Sequence, residues 1–334
     1  MDTEKASPAG GGTVVEVADL RKSRNGRTVV DGVSFTVEDG EIFGILGPEG
    51  AGKTTIVECV EGLRAPDGGR VRVAGLDPVA DHVAVTRILG AQFQQGELQP
   101  KMTVRETLEL HSALYPSPLD WRPLAERLDL TAGLATRFGK LTGLQKQRLF
   151  IALALIGTPR VVVLDELTAG LDQRARREIW ELIEDIRANG VTVLLVTPSM
   201  EEVQRLCDRV AVIDGGRVTT LGTPGGLIDR AEATTVISFT PSAPLDEKEL
   251  GTLPALASIE YRDGRIMLGG TDETLNAVIS LLARHHITAR QLRVTDMTVD
   301  DVLVDLTTPD GDAPAIGRGA VRGDVRRDAR WPDR

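Results

Sequence analysis

The chain has 334 residues, of which 41% are hydrophobic and 26% are charged, so it has enough apolar material for a core and is not disordered throughout. Lys and Arg number 39 against 49 Asp and Glu, which gives a net charge of −10, and aromatic residues make up only 3%. A protein whose main partner is nucleic acid is therefore not expected, because such proteins present a basic face or aromatic stacking platforms.

The length predicts one large domain and a smaller one. The two cysteines, Cys59 and Cys207, are too few for a disulfide framework and favour a reducing compartment. The longest apolar run, Leu149–Ile156, is too short to cross a bilayer. Residues 1–12 lack the apolar centre of a signal peptide and are predicted to be flexible. These features predict a cytoplasmic protein.

Strands and helices alternate over the first two thirds of the chain. The sequence predicts strands at 14–17, 29–37, 41–46, 69–75, 161–164, 191–196 and 210–213, and helices at 53–62, 173–188 and 199–207. A mostly helical segment is predicted at 103–157, and Asn25 and Gly26 predict a hairpin turn between the first two strands. The alternation is typical of an α/β fold with a parallel sheet. The large domain is predicted at 13–232, with a helical subdomain at about 96–157.

A second pattern begins after a break near 222–233. The sequence predicts strands at 234–240 and 287–294, helices at 273–286 and 298–306, and a hairpin within 258–268 around Arg262, Asp263 and Gly264. This pattern indicates a small C-terminal α+β domain at 233–308. Residues 309–334 are mostly Gly, Asp, Arg and Pro, so a disordered tail is predicted.

A glycine-rich stretch follows the strand at 41–46. It reads Gly47, Pro48, Glu49, Gly50, Ala51, Gly52, Lys53 and Thr54, followed by Thr55, and matches the phosphate-binding loop pattern between a strand and a helix. Glycines let the backbone wrap closely around phosphates, and the helix N-terminus adds positive potential. Lys53 is predicted to reach the β- and γ-phosphates, and Thr54 to ligate Mg²⁺. The alternative is a glycine turn that only caps a helix.

The apolar strand at 161–164 ends in two carboxylates, Asp165 and Glu166. Ligands bind outside the carboxyl ends of parallel strands, so both side chains are expected at the site. Asp165 is predicted to hold Mg²⁺ through water, and Glu166 to orient the attacking water as a general base. Apolar strands that end in Asp are common, so this pattern is specific only together with the phosphate loop. The two motifs predict a P-loop NTPase with antiparallel N-terminal strands and a helical insertion.

Between these two motifs the chain resembles the ATP-binding cassette (ABC) ATPases. Their signature Leu-Ser-Gly-Gly-Gln corresponds to Leu141, Thr142, Gly143, Leu144 and Gln145. The resemblance covers about 14–231. It implies that Gln94 meets Mg²⁺ and the membrane subunit, and that Asp172, in the segment 169–172, lies at a dimer interface. The segment 298–307 is similar to the end of daunorubicin-type drug-resistance cassettes, which power exporters whose permeases are separate chains.

Four positions depart from the family pattern. Pro198 stands where the family has a histidine that contacts the γ-phosphate, and proline has no side-chain donor or acceptor. Thr197 is expected to cap the helix after it, with Pro198 in the first turn. Leu144 adds a branched side chain where backbone approaches the facing nucleotide. Arg24 replaces the aromatic residue that stacks on adenine; it either stacks in its place or is a solvated surface residue. Leu167 replaces a proline, a change without an evident chemical consequence.

The resemblance implies an ATP- and Mg²⁺-dependent subunit of an exporter for a hydrophobic small molecule or drug. Its partners would be a separate membrane permease and a second cassette, in a homodimer or a heterodimer, and nucleic acid is not expected. The subunit would lie on the inner face of the cell membrane, attached around 94–115. Reduced hydrolysis is expected, since one positioned donor contributes about 10²–10³ in rate. The alternatives are a regulatory cassette that hydrolyses little ATP and a soluble cassette acting on ribosomes or DNA. A simple kinase or GTPase is disfavoured by the signature.

Overall fold

The structure, a computed structural model, describes residues 12–92, 98–227, 235–262 and 264–296. These residues belong to two compact units, Met1–Ile228 and Asp229–Arg334. Residues 1–11 of the predicted N-terminal lead-in, residues 228–234, the helix at 298–306 and the tail at 309–334 lie outside the described residues. Among the described residues, no helix combines the length and the hydropathy needed to cross a bilayer.

The first unit is built on two sheets. Its strands are β1 Thr13–Arg24, β2 Arg27–Glu38, β3 Ile42–Leu46, β4 Gly68–Val73, β5 Leu89–Gln92, β6 Val161–Asp165, β7 Thr192–Thr197, β8 Arg209–Asp214 and β9 Arg217–Gly222. The central sheet has the order β5-β6-β7-β3-β8-β9. The first five strands in this order pair in parallel, and β9 pairs antiparallel with β8. Every residue of β3, β6 and β7 is buried, because helices or the second sheet cover both faces. The predicted parallel core is confirmed.

The second sheet is antiparallel, with the order β2-β1-β4. Asn25 and Gly26 connect β1 to β2 with φ angles of 51° and 76°, the left-handed backbone that a two-residue hairpin of this kind requires. The apolar faces of the two sheets form one core with the helix that follows β3. Phe35 and Phe43 stack there with ring centroids 5.1 Å apart, and burying each ring contributes about 1.5–3 kcal/mol to stability.

The helices of the first unit follow the strands in alternation. They are α1 Lys53–Val60, α2 His82–Val85, α3 Val104–Ser112, α4 Trp121–Arg127, α5 Gly143–Leu155, α6 Gln173–Ala188 and α7 Met200–Leu206. The segment predicted as mostly helical contains α3, α4, α5 and two short 3₁₀ turns, since Pro116, Pro118 and Gly139 interrupt it between these helices. The sequence did not predict β5 and β9. β5 has only four residues, and β9 is a partly exposed edge strand.

The second unit is a single antiparallel sheet with helices. Its elements are β10 Thr235–Pro241, α8 Glu247–Gly251, β11 Ser258–Arg262, β12 Arg265–Gly270, α9 Asp272–Arg284 and β13 Ala289–Asp296. The sheet order β11-β12-β10-β13 and the chain order βαββαβ give the ferredoxin-like arrangement. Val278 and Leu281 of α9 belong to one buried cluster with Ile237, Phe239 and Leu268 of the sheet.

Candidate functional site

The loop between β3 and α1 is tightly enclosed by neighbouring backbone. A Cβ atom at Gly47 would lie 2.3 Å from the Ile213 oxygen, and one at Gly52 would lie 2.7 Å from the Val29 oxygen. Gly52 also has a φ angle of 99° and is the N-cap of α1, without a side-chain capping hydrogen bond. Only glycine fits this backbone. The first N–H groups of α1 have no partner within the helix, which suits them to bind an anion.

The other loop residues differ in exposure. Gly47, Ala51, Gly52, Lys53 and Thr55 are buried, Pro48 is half-buried, and Glu49, Gly50 and Thr54 are exposed. The exposed positions are the ones at which a ligand can approach the loop from solvent.

Lys53 is buried at the centre of the site, with 4% of its surface exposed. Its Nζ donates hydrogen bonds to the Gly47 oxygen (2.9 Å) and the Pro48 oxygen (2.8 Å). It also forms an ion pair of 3.7 Å with the Glu166 carboxylate. Burial lowers the pKa of Lys53, while the charges of Glu166 and Asp165 oppose this shift. The ammonium group is held by acceptors that an anionic ligand can replace.

Asp165, at the end of β6, has a buried carboxyl oxygen, Oδ1, without a hydrogen-bond partner. Its backbone N–H donates to Oε1 of Gln92 over 3.2 Å. Burial, and then the charge of Glu166, raises the pKa of Asp165 to about 6, whereas Lys53 and a hydrogen bond with Thr54 lower it. An orphaned carboxylate oxygen beside a threonine hydroxyl is the donor set that Mg²⁺ prefers, so the residues present fit this ion.

Glu166 follows Asp165 in an unusual backbone conformation. Its φ angle is 47°, in the left-handed region that non-glycine residues rarely adopt. Its N–H donates to the Val196 oxygen of β7 over 2.8 Å, which ties it to the neighbouring strand. Such conformations cost about 1–3 kcal/mol and persist where the surroundings hold them. The strained residue is one of the two carboxylates that the sequence places in the site.

The predicted signature segment forms the start of α5. Thr142 is the N-cap, and its hydroxyl accepts from the Gln145 N–H (3.3 Å), while the Gln145 side chain accepts from the Thr142 N–H (3.0 Å). This capping box defines where the helix begins. Leu141 is buried, and Leu144 is half-buried in the first turn. The threonine that replaces the usual serine therefore retains the capping function of a hydroxyl.

The segment after Glu166 packs beside this helix start. A Cβ atom at Gly143 would lie 3.4 Å from Cδ2 of Leu171. Asp172 is exposed and is the N-cap of α6, where its side chain accepts from the Ala175 N–H over 2.9 Å. Leu167, at the family's proline position, is 1% exposed and belongs to the core. The structure thus places the predicted signature and the 169–172 segment next to one another.

The helix after β7 begins later than expected. Thr197 is not its cap, because β7 continues through this residue, which pairs with Leu46 of β3. α7 begins at Met200, and its N-cap is Ser199. Pro198 therefore lies before the helix rather than in its first turn, and it is exposed. The prediction was wrong because strand pairing with β3 decides where β7 ends.

Two predicted site residues are not placed beside the carboxylates. Arg24 is exposed at the end of β1, next to the hairpin turn that leads into β2. Val29, near the start of β2, is the residue that approaches Gly52 of the phosphate loop. Gln94 lies outside the described residues, so its predicted contact with Mg²⁺ stays a prediction.

Two further polar residues of this region were not predicted from the sequence. Gln92, two positions before the predicted glutamine, is the residue that bonds Asp165. Glu61 is 6% exposed and lines a cavity with His82 and His111. Burial, and then the charge of Asp165, raises the pKa of Glu61 to about 8. No local pattern marks either residue, because Glu61 follows the last residue of α1 and Gln92 ends a strand of only four residues.

This geometry defines a class of protein. A glycine loop between a buried strand and a helix, together with two carboxylates at the same edge of a parallel sheet, is the site of a P-loop nucleoside triphosphatase. The family model described as ABC transporter matches residues 30–169. A second model, described as an AAA domain and putative AbiEii toxin of a type IV TA system, matches 143–204.

Relatives and solved structures agree with this class. Nod factor export ATP-binding protein I of Rhizobium etli is 36% identical over 305 residues, 88% of this chain and 93% of that protein. The protein of the same name from Paraburkholderia xenovorans is 42% identical over 220 residues, 64% and 72% of the two chains. A structure described as the ATP binding subunit of an ABC transporter is 26% identical with a TM-score of 0.60, covering 65% of this chain and 93% of that one. The structure of cbiO1 of Clostridium perfringens, part of the ABC transporter complex cbiONQ, is 25% identical with a TM-score of 0.59. It covers 65% of this chain and 91% of that one.

The chain belongs to the ABC transporter family and is an ATP-binding subunit with the cassette fold.

Proposed function

We propose that this chain powers an exporter for a hydrophobic small molecule or drug, by binding and slowly hydrolysing Mg-ATP beneath a separate membrane permease. The observation that carries the ATPase part is the meeting of Lys53, Asp165 and Glu166 at the carboxyl edge of one sheet. Export, rather than import, is supported by relatives that are described as Nod factor export proteins.

The phosphate loop would bind the nucleotide. The ammonium of Lys53 exchanges the carbonyl oxygens of Gly47 and Pro48 for phosphate oxygens, which keeps a buried cation paired. Arg24 is positioned on the hairpin to cover the base by stacking.

The chain's oxygen donors suit Mg²⁺. Thr54 and the unpartnered Oδ1 of Asp165 would hold this ion, with Gln94 as a further ligand. The bound ion would neutralise developing charge on the phosphates. Glu166 would accept a proton from the attacking water. Because Glu166 pairs with Lys53 here, nucleotide binding would free the carboxylate for that task.

Two cassettes would complete each site, in a homodimer or a heterodimer. Family resemblance implies that the signature Leu141–Gln145 of one subunit would face the nucleotide of the other, and that Asp172 would lie at the dimer interface. In a homodimer, every site combines the missing donor at Pro198 with the branched Leu144. In a heterodimer with an intact partner, the two defects are in different sites. Loss of one positioned donor lowers the rate about 10²–10³-fold, so binding persists while turnover is slow.

A regulatory cassette with little hydrolysis, working in a heterodimer, is the second candidate function. It is favoured by the exposed Pro198, whose side chain offers neither donor nor acceptor at the position where the family has a histidine that contacts the γ-phosphate. The two functions differ in whether Glu166 is needed for phosphate release by the assembled complex.

Attachment to the permease is proposed through the surface around 94–115, on the inner face of the membrane. In this segment Leu110 and Leu114 are 51% and 69% exposed on and just after α3. Exposed leucines so close together favour contact with another apolar surface.

The test co-expresses the chain with the permease encoded beside it. We expect the cassette in the membrane fraction only when the permease is present, Mg-ATP binding, and slow phosphate release that Glu166→Gln removes. Full nucleotide binding with phosphate release that is unaffected by Glu166→Gln would favour the regulatory cassette. A cassette that binds no nucleotide, or stays wholly outside the membrane fraction, would overturn the proposal.

A further inference from the structure

Glu202 carries a buried carboxylate whose partners come from three other elements. Its residue surface is only 2% exposed. Oε1 accepts hydrogen bonds from the Thr168 hydroxyl and from Nε1 of Trp180, the latter over 3.1 Å. Oε2 accepts from the Thr197 hydroxyl. One side chain of α7 therefore joins the segment after β6, the helix α6 and the end of β7.

The bonded threonines flank the site described above. Thr168 is two residues after Glu166, and Thr197 is the residue before Pro198. The Thr197 hydroxyl also accepts from the Ser199 N–H over 3.0 Å, which orders the chain on both sides of Pro198. The two segments that follow β6 and β7 are thus linked through the two oxygens of one carboxylate.

The strained backbone of Glu166 needs such links. Its φ angle of 47° is unfavourable for a glutamate, and an unfavourable conformation persists only where the surroundings determine it. One link is the bond from the Glu166 N–H to the Val196 oxygen. Glu202 supplies the second, because it anchors Thr168 after Glu166 and Thr197 after Val196. Both links tie the segment that contains Glu166 to the end of β7.

We propose that Glu202 is a positioning residue that keeps Glu166 in its productive conformation and joins it to the segment around Pro198. This inference rests on the proposed ATPase function. A carboxylate suits the role because its two oxygens accept on two sides at once, whereas an amide has a single acceptor oxygen. Glu202→Gln should therefore retain part of the link, and Glu202→Ala should remove it.

The neighbouring Glu201 provides a matched control. It lies on the same turn of α7, but its side chain is 59% exposed and forms a 3.1 Å surface ion pair with Arg176. Such pairs contribute little to stability. We expect Glu201→Gln to leave both kcat and Mg-ATP affinity within about twofold of wild type.

The kinetic test measures phosphate release and Mg-ATP binding by the full chain. Glu202→Ala should lower kcat about 10- to 100-fold with nucleotide Kd within about twofold, because only the placement of the base changes. Glu202→Gln should fall between Glu202→Ala and wild type. Thr168→Val removes one donor to Glu202 and keeps the side-chain shape, so it should also lower kcat. It serves as the test if Glu202→Ala does not fold. The proposal is overturned if kcat is unchanged in both Thr168→Val and Glu202→Gln. It is also overturned if the variants lose activity because the Kd for Mg-ATP rises.

Hydrogen exchange supplies a readout that does not depend on turnover. Amides of residues 166–172 should exchange at least about tenfold faster in Glu202→Ala, whereas those of the loop at 47–56 should be unchanged. Faster exchange throughout the unit would show a role in general stability and overturn the proposal. If the wild-type protein hydrolyses no ATP, the proposed function is refuted instead. The hydrogen-exchange pattern alone would then test whether Glu202 holds the segment around Glu166.

Discussion

Replacing Pro198 by histidine is expected to accelerate ATP hydrolysis. β7 pairs with β6 so that Val196 lies opposite Asp165, and Glu166 bonds to the Val196 oxygen. Position 198 lies two residues after Val196, just beyond the end of β7. Pro198 is exposed, and a histidine meets no buried neighbour that must move. The missing group is a donor to the γ-phosphate as its charge shifts during cleavage.

The expected gain is about 10- to 100-fold in kcat, or about 1.4–2.7 kcal/mol of transition-state stabilisation. This gain is smaller than the roughly 10²–10³-fold of a fully positioned donor, because in the proposed homodimer Leu144 would still face each nucleotide. KM should change little, since the contact forms mainly in the transition state. The cap of α7 is Ser199, which the substitution retains. Loss of proline should therefore lower the free energy of unfolding by about 1 kcal/mol or less.

The assay is steady-state phosphate release over a range of ATP concentrations for wild type, Pro198→His, Leu144→Gly and the double variant. Pro198→Ala is the matched control, because it removes the proline ring without adding a donor. We expect the histidine variant alone to gain, and the double variant to gain more, though not additively because both changes affect one composite site. An equal gain in Pro198→Ala would refute the reasoning. Fast wild-type turnover that Glu166→Gln abolishes and Pro198→His leaves unaltered would refute it too.

Three further substitutions test the site. Lys53→Ala should remove most Mg-ATP affinity in a titration of binding, because a charge-assisted phosphate contact is lost; unchanged affinity would show that the loop does not bind phosphate. Gly52→Ala should lower both nucleotide affinity and stability, by more than about 1 kcal/mol, since its φ is 99° and a Cβ atom would lie 2.7 Å from the Val29 oxygen. The pKa of Glu61 is raised from 4.5 to about 8 in the native state. Between these two pH values the native state keeps a proton that the unfolded chain has released. The free energy of unfolding should therefore fall as pH rises from about 4.5 to 8. Glu61→Gln should remove this fall and be more stable than wild type at pH 8.5 but not at pH 4.5, as measured by denaturant unfolding at both pH values; parallel pH profiles would contradict the burial argument.

Local sequence determined much of the fold and the residues of the site. The elements that it predicted best are the ones whose signals lie within a few residues. The hairpin turn at Asn25 and Gly26, the glycine loop before α1, and the helix predicted at 173–188 are all present. Helix caps, turns and apolar periodicity depend on residues a few positions apart, so they can be recognised in the sequence without the rest of the molecule. The roles assigned to the site residues stay predictions, which the experiments above test.

Only the tertiary structure decided which distant groups meet. Gln92 bonds Asp165 across 73 positions of sequence, and Thr168 bonds Glu202 across 34. Neither pair leaves a pattern along the chain, because each depends on which strands become neighbours in the sheet. The same holds for the burial of Glu61 and for the end of β7 at Thr197, which pairing with β3 extends past the point that local signals favour. A sequence specifies the propensities of its segments, but pKa values, strain and positioning arise from neighbours that only the packed sheet brings together.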